Sequence, residues 1–290
     1  MKLGITGATG FVGKTLIQAA IRRGCEVVAF TREPSKLVGD CVETRQFSLD
    51  KVPDFSGCEA IIHLAGENVS GLWTAAKKRR IRDSRVLGAQ RVVEGIRAAK
   101  VPPEVVVAAS AVGFYGNQGD AELDEESPRG SGFLADVCAD TEAVYAGVDC
   151  RIVRARLGLV LGDGGALGVM RQIFKLGLGG PLGHGQQWMS WIHVEDAVSL
   201  LLFAVFNLDL RGPLNITAPW PVRNADFTKL LARSLCRPAF FREPAWVMRL
   251  VLREFADELL WSRRVLPAVA TEQGFGFRYP ELSEAAFANR

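Results

Sequence analysis

A short apolar strand, three spaced glycines and a helix open this chain, and that order most constrains its fold. Lys2 to Thr6 reads as a strand, and a helix is predicted from about Gly10 to Arg23. The glycines between and within them follow a GxxGxxG spacing. They suit a tight turn, a close backbone approach to a pyrophosphate, and close packing of the helix on the strand. We therefore predict a dinucleotide site, rather than an ordinary glycine turn, at Gly7, Thr9, Gly10, Phe11, Val12 and Gly13.

Further apolar runs alternate with helical segments along the first half of the chain. The runs lie at about residues 25–30, 42–47, 60–64, 105–109 and 151–157, and a long helix is predicted over about 75–99. Continuous apolar strands separated by helices indicate an α/β fold with a Rossmann-type doubly wound parallel sheet. We expect a nucleotide-binding domain over residues 1–165, joined again by 186–217. Residues 166–290 are expected to form a substrate lobe and a smaller C-terminal α/β lobe.

Composition narrows the classes of function. A net charge of +3 from 35 basic and 32 acidic residues argues against nucleic acid as the main partner. The basic run Lys77 to Arg82 is expected to be a solvated helix face. No stretch reaches the roughly 18 consecutive apolar residues of a membrane span, so we expect no membrane partner. Six cysteines without a CxxC pair and three histidines favour reduced thiols over a disulfide framework or metal site. We expect a cytoplasmic monomer or homodimer.

The end of the second predicted strand indicates which dinucleotide binds. An NAD site usually has an acidic residue there, whereas this strand ends in Thr31 and Arg32. A guanidinium can pair with the 2′-phosphate of NADP(H), and a threonine hydroxyl can donate to the same group. Lys36 would add charge. Glu33 could serve a ribose instead if the register were shifted by one residue, but the charges favour NADP(H).

Seven segments together resemble one protein family. They are TGATGFVG, HLAGENV, RIRDSRV, SAVGFYG, GPLGHGQQWMSWIHVED, RVLP and GFGFRYPEL. The chain is similar over nearly its whole length to the atypical extended short-chain dehydrogenase/reductases of the NAD-dependent epimerase/dehydratase type. These carry a small C-terminal domain of unknown function. The resemblance implies a Rossmann domain, NADP(H) and a substrate lobe, but no particular substrate.

The resemblance also implies cofactor contacts beyond the glycine turn. The segment after the fourth strand would pass the adenosine, Arg85 would edge the groove, and Val160 would lie towards the nicotinamide. Core packing is the alternative for the apolar members, and a loop cap is the alternative for Glu67. The residues so implied are Leu64, Ala65, Gly66, Glu67, Arg85 and Val160.

The chain departs from the family at the catalytic pair. Related enzymes use Tyr-x-x-x-Lys, in which the lysine lowers the tyrosine pKa and the tyrosine transfers a proton. Here Leu134 and Cys138 take those places when Glu142 is aligned with the acidic residue that often ends the motif. The remaining catalytic candidates are Ser110, Tyr115 and Cys138. Packing is the alternative for Tyr115, and a buried inert thiol is the alternative for Cys138.

Two functions of different class are therefore compatible with the sequence. One is an NADP(H)-dependent oxidoreductase or epimerase acting on an unidentified small molecule. The other is a non-catalytic NADP(H)-binding redox sensor or partner-binding protein. The glycine-rich segment Gly177 to Gly185, followed by Trp188 and Trp191, is either a substrate lid or a structural loop.

Overall fold

A computed structural model gives the structure of residues 1–34, 42–239, 241, 243–283 and 287. Lys36 and Cys41 lie outside these described residues. In chain order the strands are β1 (Lys2–Thr6), β2 (Glu26–Thr31), β3 (Val42–Gln46), β4 (Ala60–His63), β5 (Val105–Ala111), β6 (Glu122–Leu123), β7 (Arg151–Leu157), β8 (Leu159–Leu161), β9 (Trp188–Met189), β10 (Trp191–His193), β11 (Gly212–Ile216), β12 (Val222–Arg223) and β13 (Arg264–Val265). The helices are α1 (Phe11–Arg22), α2 (Ala75–Ala98), α3 (Phe133–Val144), α4 (Gly165–Lys175), α5 (Val194–Phe206), α6 (Asn224–Ser234), α7 (Ala245–Leu252), α8 (Phe255–Leu260) and α9 (Ala268–Glu272).

A seven-stranded parallel sheet forms the centre of the molecule, with the order β11-β7-β5-β4-β1-β2-β3. The strand order reverses at β1, because β2 and β3 follow on one side of it and β4 and the later strands on the other. Ile5 of β1 accordingly pairs with Ala29 on one side and with Ile62 on the other. Ligands of doubly wound sheets bind outside the carboxyl ends of the strands at such a switch point. The predicted Rossmann-type fold is therefore confirmed, and its topology places the site between β1, β2 and β4.

Helices cover both faces of the sheet, which explains why its strands are almost continuously apolar. On one face α1 and α5 pack together and bury Leu16 and Leu201. On the other face α2 and α3 pack together, and Val92 of α2 is fully buried there. Each such side chain contributes roughly 1.5–3 kcal/mol of transfer free energy, so the two layers hold the sheet edges of the site in place.

The second half of the chain returns to this sheet before it forms smaller units. β11 pairs in parallel with β7, and α5 packs on the same face as α1. Two-stranded ladders then join β12 to β9 and β13 to β6. The carboxylate of Asp196 accepts hydrogen bonds from the backbone N–H groups of Arg278 (2.9 Å) and Tyr279 (2.8 Å). This contact ties the C-terminal segment to the start of α5. The division of the chain at residue 165 remains a proposal.

One predicted helix is interrupted. The apolar stretch from Trp246 to Trp261 reads as a single helical segment, but the structure divides it into α7 and α8. Arg253 between them has φ +52° and ψ −133°, a backbone conformation outside the helical regions, and it ends α7. The break lets Phe255 turn back onto Trp73, with the ring centroids 5.7 Å apart. No helix in the described part of the chain is long and apolar enough to cross a membrane.

Candidate functional site

A cleft of about 430 Å³ opens at the carboxyl ends of β1, β2 and β4. It lies where the sheet topology places a ligand. Its walls come from the glycine turn, the ends of β2 and β3, and the segment after β4. The lining residues are Gly7, Thr9, Gly10, Phe30, Thr31, Arg32, Phe47, Ser48, Leu49, Leu64, Ala65, Gly66, Glu67, Asn68 and Ser84.

The glycine turn presents bare backbone to this cleft. Gly7 has φ +69°, which favours glycine, and a Cβ on Gly13 would lie 2.3 Å from the carbonyl oxygen of Gly7. α1 therefore starts directly against the turn. Its N-cap, Gly10, makes no side-chain hydrogen bond to the first turn. The first N–H groups of a helix have no partner within the helix, so this end of α1 can accept an anion.

The remaining turn residues support the cleft rather than line it. The ring of Phe11 packs on the loop after β8, where a Cβ on Gly162 or Gly164 would lie 2.7 Å from it. Val12 packs against the core shared by α1 and α5. Side chains at Phe11 and Val12 thus fix the position of α1.

The ends of β2 and β3 form the second wall. Thr31 pairs with Gln46 in the parallel register, so Phe47 follows beside the end of β2. Thr31 is buried, and its hydroxyl accepts the backbone N–H of Glu33 at 3.3 Å. Arg32 is exposed and lines the cleft. The positive charge of Arg32 therefore lies in this wall of the cleft, together with the aromatic ring of Phe47.

A buried polar pair beneath the cleft shapes the segment after β4. The Thr6 hydroxyl lies 2.7 Å from Nδ1 of His63 and accepts the backbone N–H of Ala65 at 3.2 Å. A hydroxyl oxygen has two lone pairs and one proton, so with one lone pair taken by Ala65 the Thr6 hydroxyl either donates to Nδ1 or accepts from it, according to the tautomer of His63. Burial, aided by the charge of Arg85, lowers the pKa of His63 to about 4. A neutral histidine thus holds the floor of the cleft.

Glu67 is fixed by α2 through its backbone and its side chain. Its N–H donates to Ser84 Oγ (2.9 Å), and its carbonyl accepts Nη1 of Arg85 (3.0 Å). Its carboxylate accepts from Lys77 Nζ at 2.8 Å and lies 3.6 Å from Arg80 Nε. The hydrogen bond from Lys77 lowers the pKa of Glu67. The wall is therefore built on α2 rather than on a free loop.

Arg85 lies behind this wall. A Cβ on Gly66 would lie 3.4 Å from the Cζ of Arg85, so the guanidinium is directly under the lining. Burial lowers the pKa of Arg85. Arg85 does not itself line the cleft, but it fixes the backbone of Gly66 and Glu67.

The basic run of α2 has intramolecular partners. Besides the two contacts with Glu67, Lys78 pairs with Glu254 and Arg82 pairs with Asp140. These side chains link α2 to the α7–α8 connection and to α3. The contacts support the expectation of a solvated helix face over a nucleic-acid surface.

Two of the catalytic candidates meet between β5 and α3. The hydroxyl of Ser110 donates to Oε1 of Glu142 at 2.7 Å. Burial raises the pKa of the Cys138 thiol, against a smaller lowering by Ser110. Leu134, in the tyrosine place, is buried as well. These contacts favour the inert-thiol alternative for Cys138, because burial disfavours a thiolate.

Tyr115 is buried in a polar network. Its hydroxyl donates to Oδ1 of Asn215 (2.8 Å) and accepts Nη1 of Arg156 (2.9 Å). Burial raises the pKa of Tyr115. Arg156 also binds both carboxylate oxygens of Glu142. These contacts favour packing for Tyr115. Arg156 was not among the residues predicted from the sequence, because it is one of three arginines in β7, with Arg151 and Arg154, and only the fold shows which of them is buried against a carboxylate.

The second half contributes supports rather than cleft lining. Val160 pairs with Ile192 in a parallel ladder and packs against the core. Trp191 is fully buried, and the Cζ atoms of Arg223 and Arg264 lie 4.0 and 4.8 Å from the ring centroid of Trp188. These contacts favour the structural alternative for both tryptophans.

Comparisons with known proteins agree with this geometry. Residues 3–216 match the model of the NAD dependent epimerase/dehydratase family, and residues 244–287 match a domain of unknown function (DUF1731). The epimerase family protein SDR39U1 homolog, chloroplastic, from Arabidopsis thaliana is 38% identical, over 98% of this chain and 85% of the plant protein. The epimerase family protein ML0860 from Mycobacterium leprae is also 38% identical, over 97% of this chain and 93% of its own length.

A solved structure extends the similarity to three dimensions. The crystal structure of human epimerase family protein SDR39U1 (isoform2) with NADPH superposes with a TM-score of 0.90. It is 33% identical and covers 99% of this chain and 98% of the human chain. The chain belongs to the NAD dependent epimerase/dehydratase family.

Proposed function

We propose that this chain binds NADP(H) in the cleft at the carboxyl ends of β1, β2 and β4. The observation that carries the proposal is Arg32, an exposed cation at the end of β2 that lines the cleft. The bare backbone of Gly7 and Gly13 fits a pyrophosphate at the start of α1. The human relative with a TM-score of 0.90 was crystallised with NADPH, which supports the same cofactor here.

Each group of lining residues would contact a different part of the cofactor. The turn residues Gly7, Thr9 and Gly10, with the free N–H groups at Phe11, Val12 and Gly13, would hold the pyrophosphate. Thr31 and Arg32 would hold the 2′-phosphate. The backbone after β4, at Leu64, Ala65, Gly66 and Glu67, would pass the adenosine, with Arg85 supporting it and Val160 towards the nicotinamide. When bound, the cofactor would supply hydride transfer at C4 of the nicotinamide.

We further propose that the chain is an epimerase/dehydratase-like oxidoreductase acting on an unidentified small molecule. It lacks the Tyr-x-x-x-Lys pair, and Ser110, Tyr115 and Cys138 are the candidates for proton transfer. The family relationship supports this function. The second candidate is a non-catalytic NADP(H)-binding sensor. It is favoured by the burial of Leu134 and Cys138 where a tyrosine and lysine would act.

A binding titration tests the cofactor assignment. Arg32→Ala should weaken NADPH about 10- to 100-fold and leave NADH nearly unchanged, because only NADPH carries the phosphate that pairs with the guanidinium. Arg22→Ala, an exposed arginine at the other end of α1, is the charge-matched control and should change neither affinity. Equal losses of NADPH and NADH in Arg32→Ala would contradict the placement of the 2′-phosphate.

A turnover screen separates the enzyme from the sensor. NADPH absorbance would be followed with sugar nucleotides, carbonyl compounds and quinones as acceptors. Turnover that falls in Ser110→Ala, Tyr115→Phe or Cys138→Ala supports the catalytic candidates, and turnover unchanged in the triple variant rejects them. Tight NADPH binding without turnover of any acceptor favours the sensor.

A further inference from the structure

Two neighbouring segments of the second half carry an unusual density of exposed apolar side chains. One segment is α4 with the turn after it, and the other runs from Phe241 through α7. We call their outward surface the apolar face. Its members are Val169, Ile173, Leu176, Leu178, Phe241, Trp246, Leu250 and Val251.

Backbone contacts place the two segments side by side. The N–H of Glu243 donates to the carbonyl of Pro181 at 3.1 Å, and the N–H of Gly183 donates back to Glu243 at 2.8 Å. A Cβ on Gly180 would lie 1.3 Å from the carbonyl oxygen of Phe241, so the two backbone segments touch there with no room for a side chain. The turn after α4 and the segment that leads into α7 therefore lie next to each other.

Helical periodicity directs these side chains outward. Trp246 and Leu250 are four residues apart on α7, so they share one side of the helix, and they are 69% and 73% exposed. Met248 lies on the opposite side and is buried. On α4, Val169 and Ile173 are also four residues apart. Surface leucines and valines are ordinary singly, but a contiguous group marks an interaction site.

Basic residues outnumber acidic ones on the two segments of the apolar face. Residues 165–178 and 241–253 contain five basic residues and one acidic residue, Glu243. Lys175, Arg249 and Arg253 are exposed within them. The Nε of Arg249 donates to Oδ1 of Asp257 at 3.1 Å, and the Arg249 side chain is 59% exposed. A surface of this kind, with a tryptophan and aliphatic side chains beside cations, fits the interface of a bilayer with anionic headgroups.

We propose that the apolar face binds the surface of an anionic lipid bilayer. The expectation of no membrane partner rested on the absence of a spanning segment, and contact with a bilayer surface requires none. A second copy of the chain is disfavoured as the occupant, because a symmetric contact would bring the cations of each face together. Anionic headgroups instead attract those cations while Trp246, Leu250 and Phe241 leave water.

Vesicle co-sedimentation of the full chain tests the proposal. Vesicles of phosphatidylcholine alone are compared with vesicles that also contain phosphatidylglycerol. The wild-type chain should sediment with the mixed vesicles only, and added salt should release it. Leu250→Asp should lower partitioning more than tenfold, since it places a charge where the leucine side chain would leave water for the bilayer. Lys175→Gln should lower it about fivefold.

Matched controls identify the surface. Leu208 is 72% exposed and lies outside both segments, so Leu208→Asp should sediment like wild type. Equal loss in Leu208→Asp and Leu250→Asp, or no preference for anionic vesicles, would overturn the proposal. So would a dimer in size-exclusion chromatography that Leu250→Asp abolishes without any vesicle binding by the wild type. Because the assay needs no cofactor, its outcome is independent of NADPH binding.

Discussion

Arg156 on β7 grips the carboxylate of Glu142 on α3 with two parallel hydrogen bonds, Nε to Oε1 at 3.0 Å and Nη2 to Oε2 at 2.9 Å. Both side chains are only 5–6% exposed. Through Ser110 and Tyr115 this ion pair joins the helix layer to the strand ends beside the site. Its position makes it the polar centre of an otherwise apolar layer.

Removing one partner of this pair should destabilise the fold severely. Arg156→Ala leaves the Glu142 carboxylate buried and unpaired, which should lower the free energy of unfolding by about 3–5 kcal/mol. Arg129 and Asp136 form an exposed pair, so Arg129→Ala should cost less than about 1 kcal/mol. Urea unfolding of both variants checks the difference. Equal, small losses would show that Glu142 finds other partners.

The dinucleotide turn should not tolerate a methyl group at its third glycine. In Gly13→Ala the new Cβ meets the Gly7 carbonyl, so α1 must move away from the turn. We expect a loss of about 1–3 kcal/mol in stability and more than tenfold in NADPH affinity. In Gly168→Ala the Cβ meets nothing within 4 Å, and a helical alanine should stabilise α4 by about 0.5–1 kcal/mol. NADPH affinity unchanged in Gly13→Ala would show that the turn is not the phosphate site.

The sequence predicted those elements whose signal is local. Arg151–Leu157 is a strand as predicted, and the helix predicted over 75–99 is observed as Ala75–Ala98. In both, an apolar pattern is long enough to define the element. The break at Arg253 was not predicted, because α7 and α8 are both apolar and no glycine or proline separates them. The packing of Phe255 on Trp73, 182 positions earlier in the chain, accompanies the break.

The residues of the candidate site were likewise predicted where a local motif marks them. Of the residues predicted to contact the cofactor, the cleft is lined by Gly7, Thr9, Gly10, Thr31, Arg32, Leu64, Ala65, Gly66 and Glu67, and not by Phe11, Val12, Gly13, Arg85 and Val160. Phe47 and Leu49 were missed, since β3 has a weak pattern and their place depends on its register with β2. Catalytic roles could not be read from spacing, because burial decides them and burial depends on packing between layers.

Because of His63, the fold should lose stability on acidification at pH values above those at which carboxylates usually titrate. Its pKa is lowered to about 4 when folded and is 6.5 when unfolded, so the unfolded chain takes up the proton first. The full stability is present above pH 6.5 and is lost as the pH falls towards 4. At about pH 5 the free energy of unfolding should have fallen by about 2 kcal/mol. His63→Asn, whose side-chain amide can still hydrogen bond to the Thr6 hydroxyl, should remove this loss.

Urea midpoints at about pH 7.5 and about pH 5 provide the measurement. His184 is exposed, so His184→Asn serves as the control and should keep the acid sensitivity of the wild type. An equally steep pH dependence in His63→Asn would assign the effect to other groups.

Thiol labelling should distinguish the two interpretations of Cys138. Burial raises the pKa of its thiol, whereas Cys236 is exposed. Because the thiolate is the reactive form, iodoacetamide should modify Cys236 readily in the folded chain and leave Cys138 intact until the chain unfolds. Mass spectrometry of the digested protein reports each site separately, with urea-treated protein as the positive control. Rapid modification of Cys138 in the folded state would instead show an accessible thiolate, and would favour Cys138 as the group that exchanges a proton with the substrate.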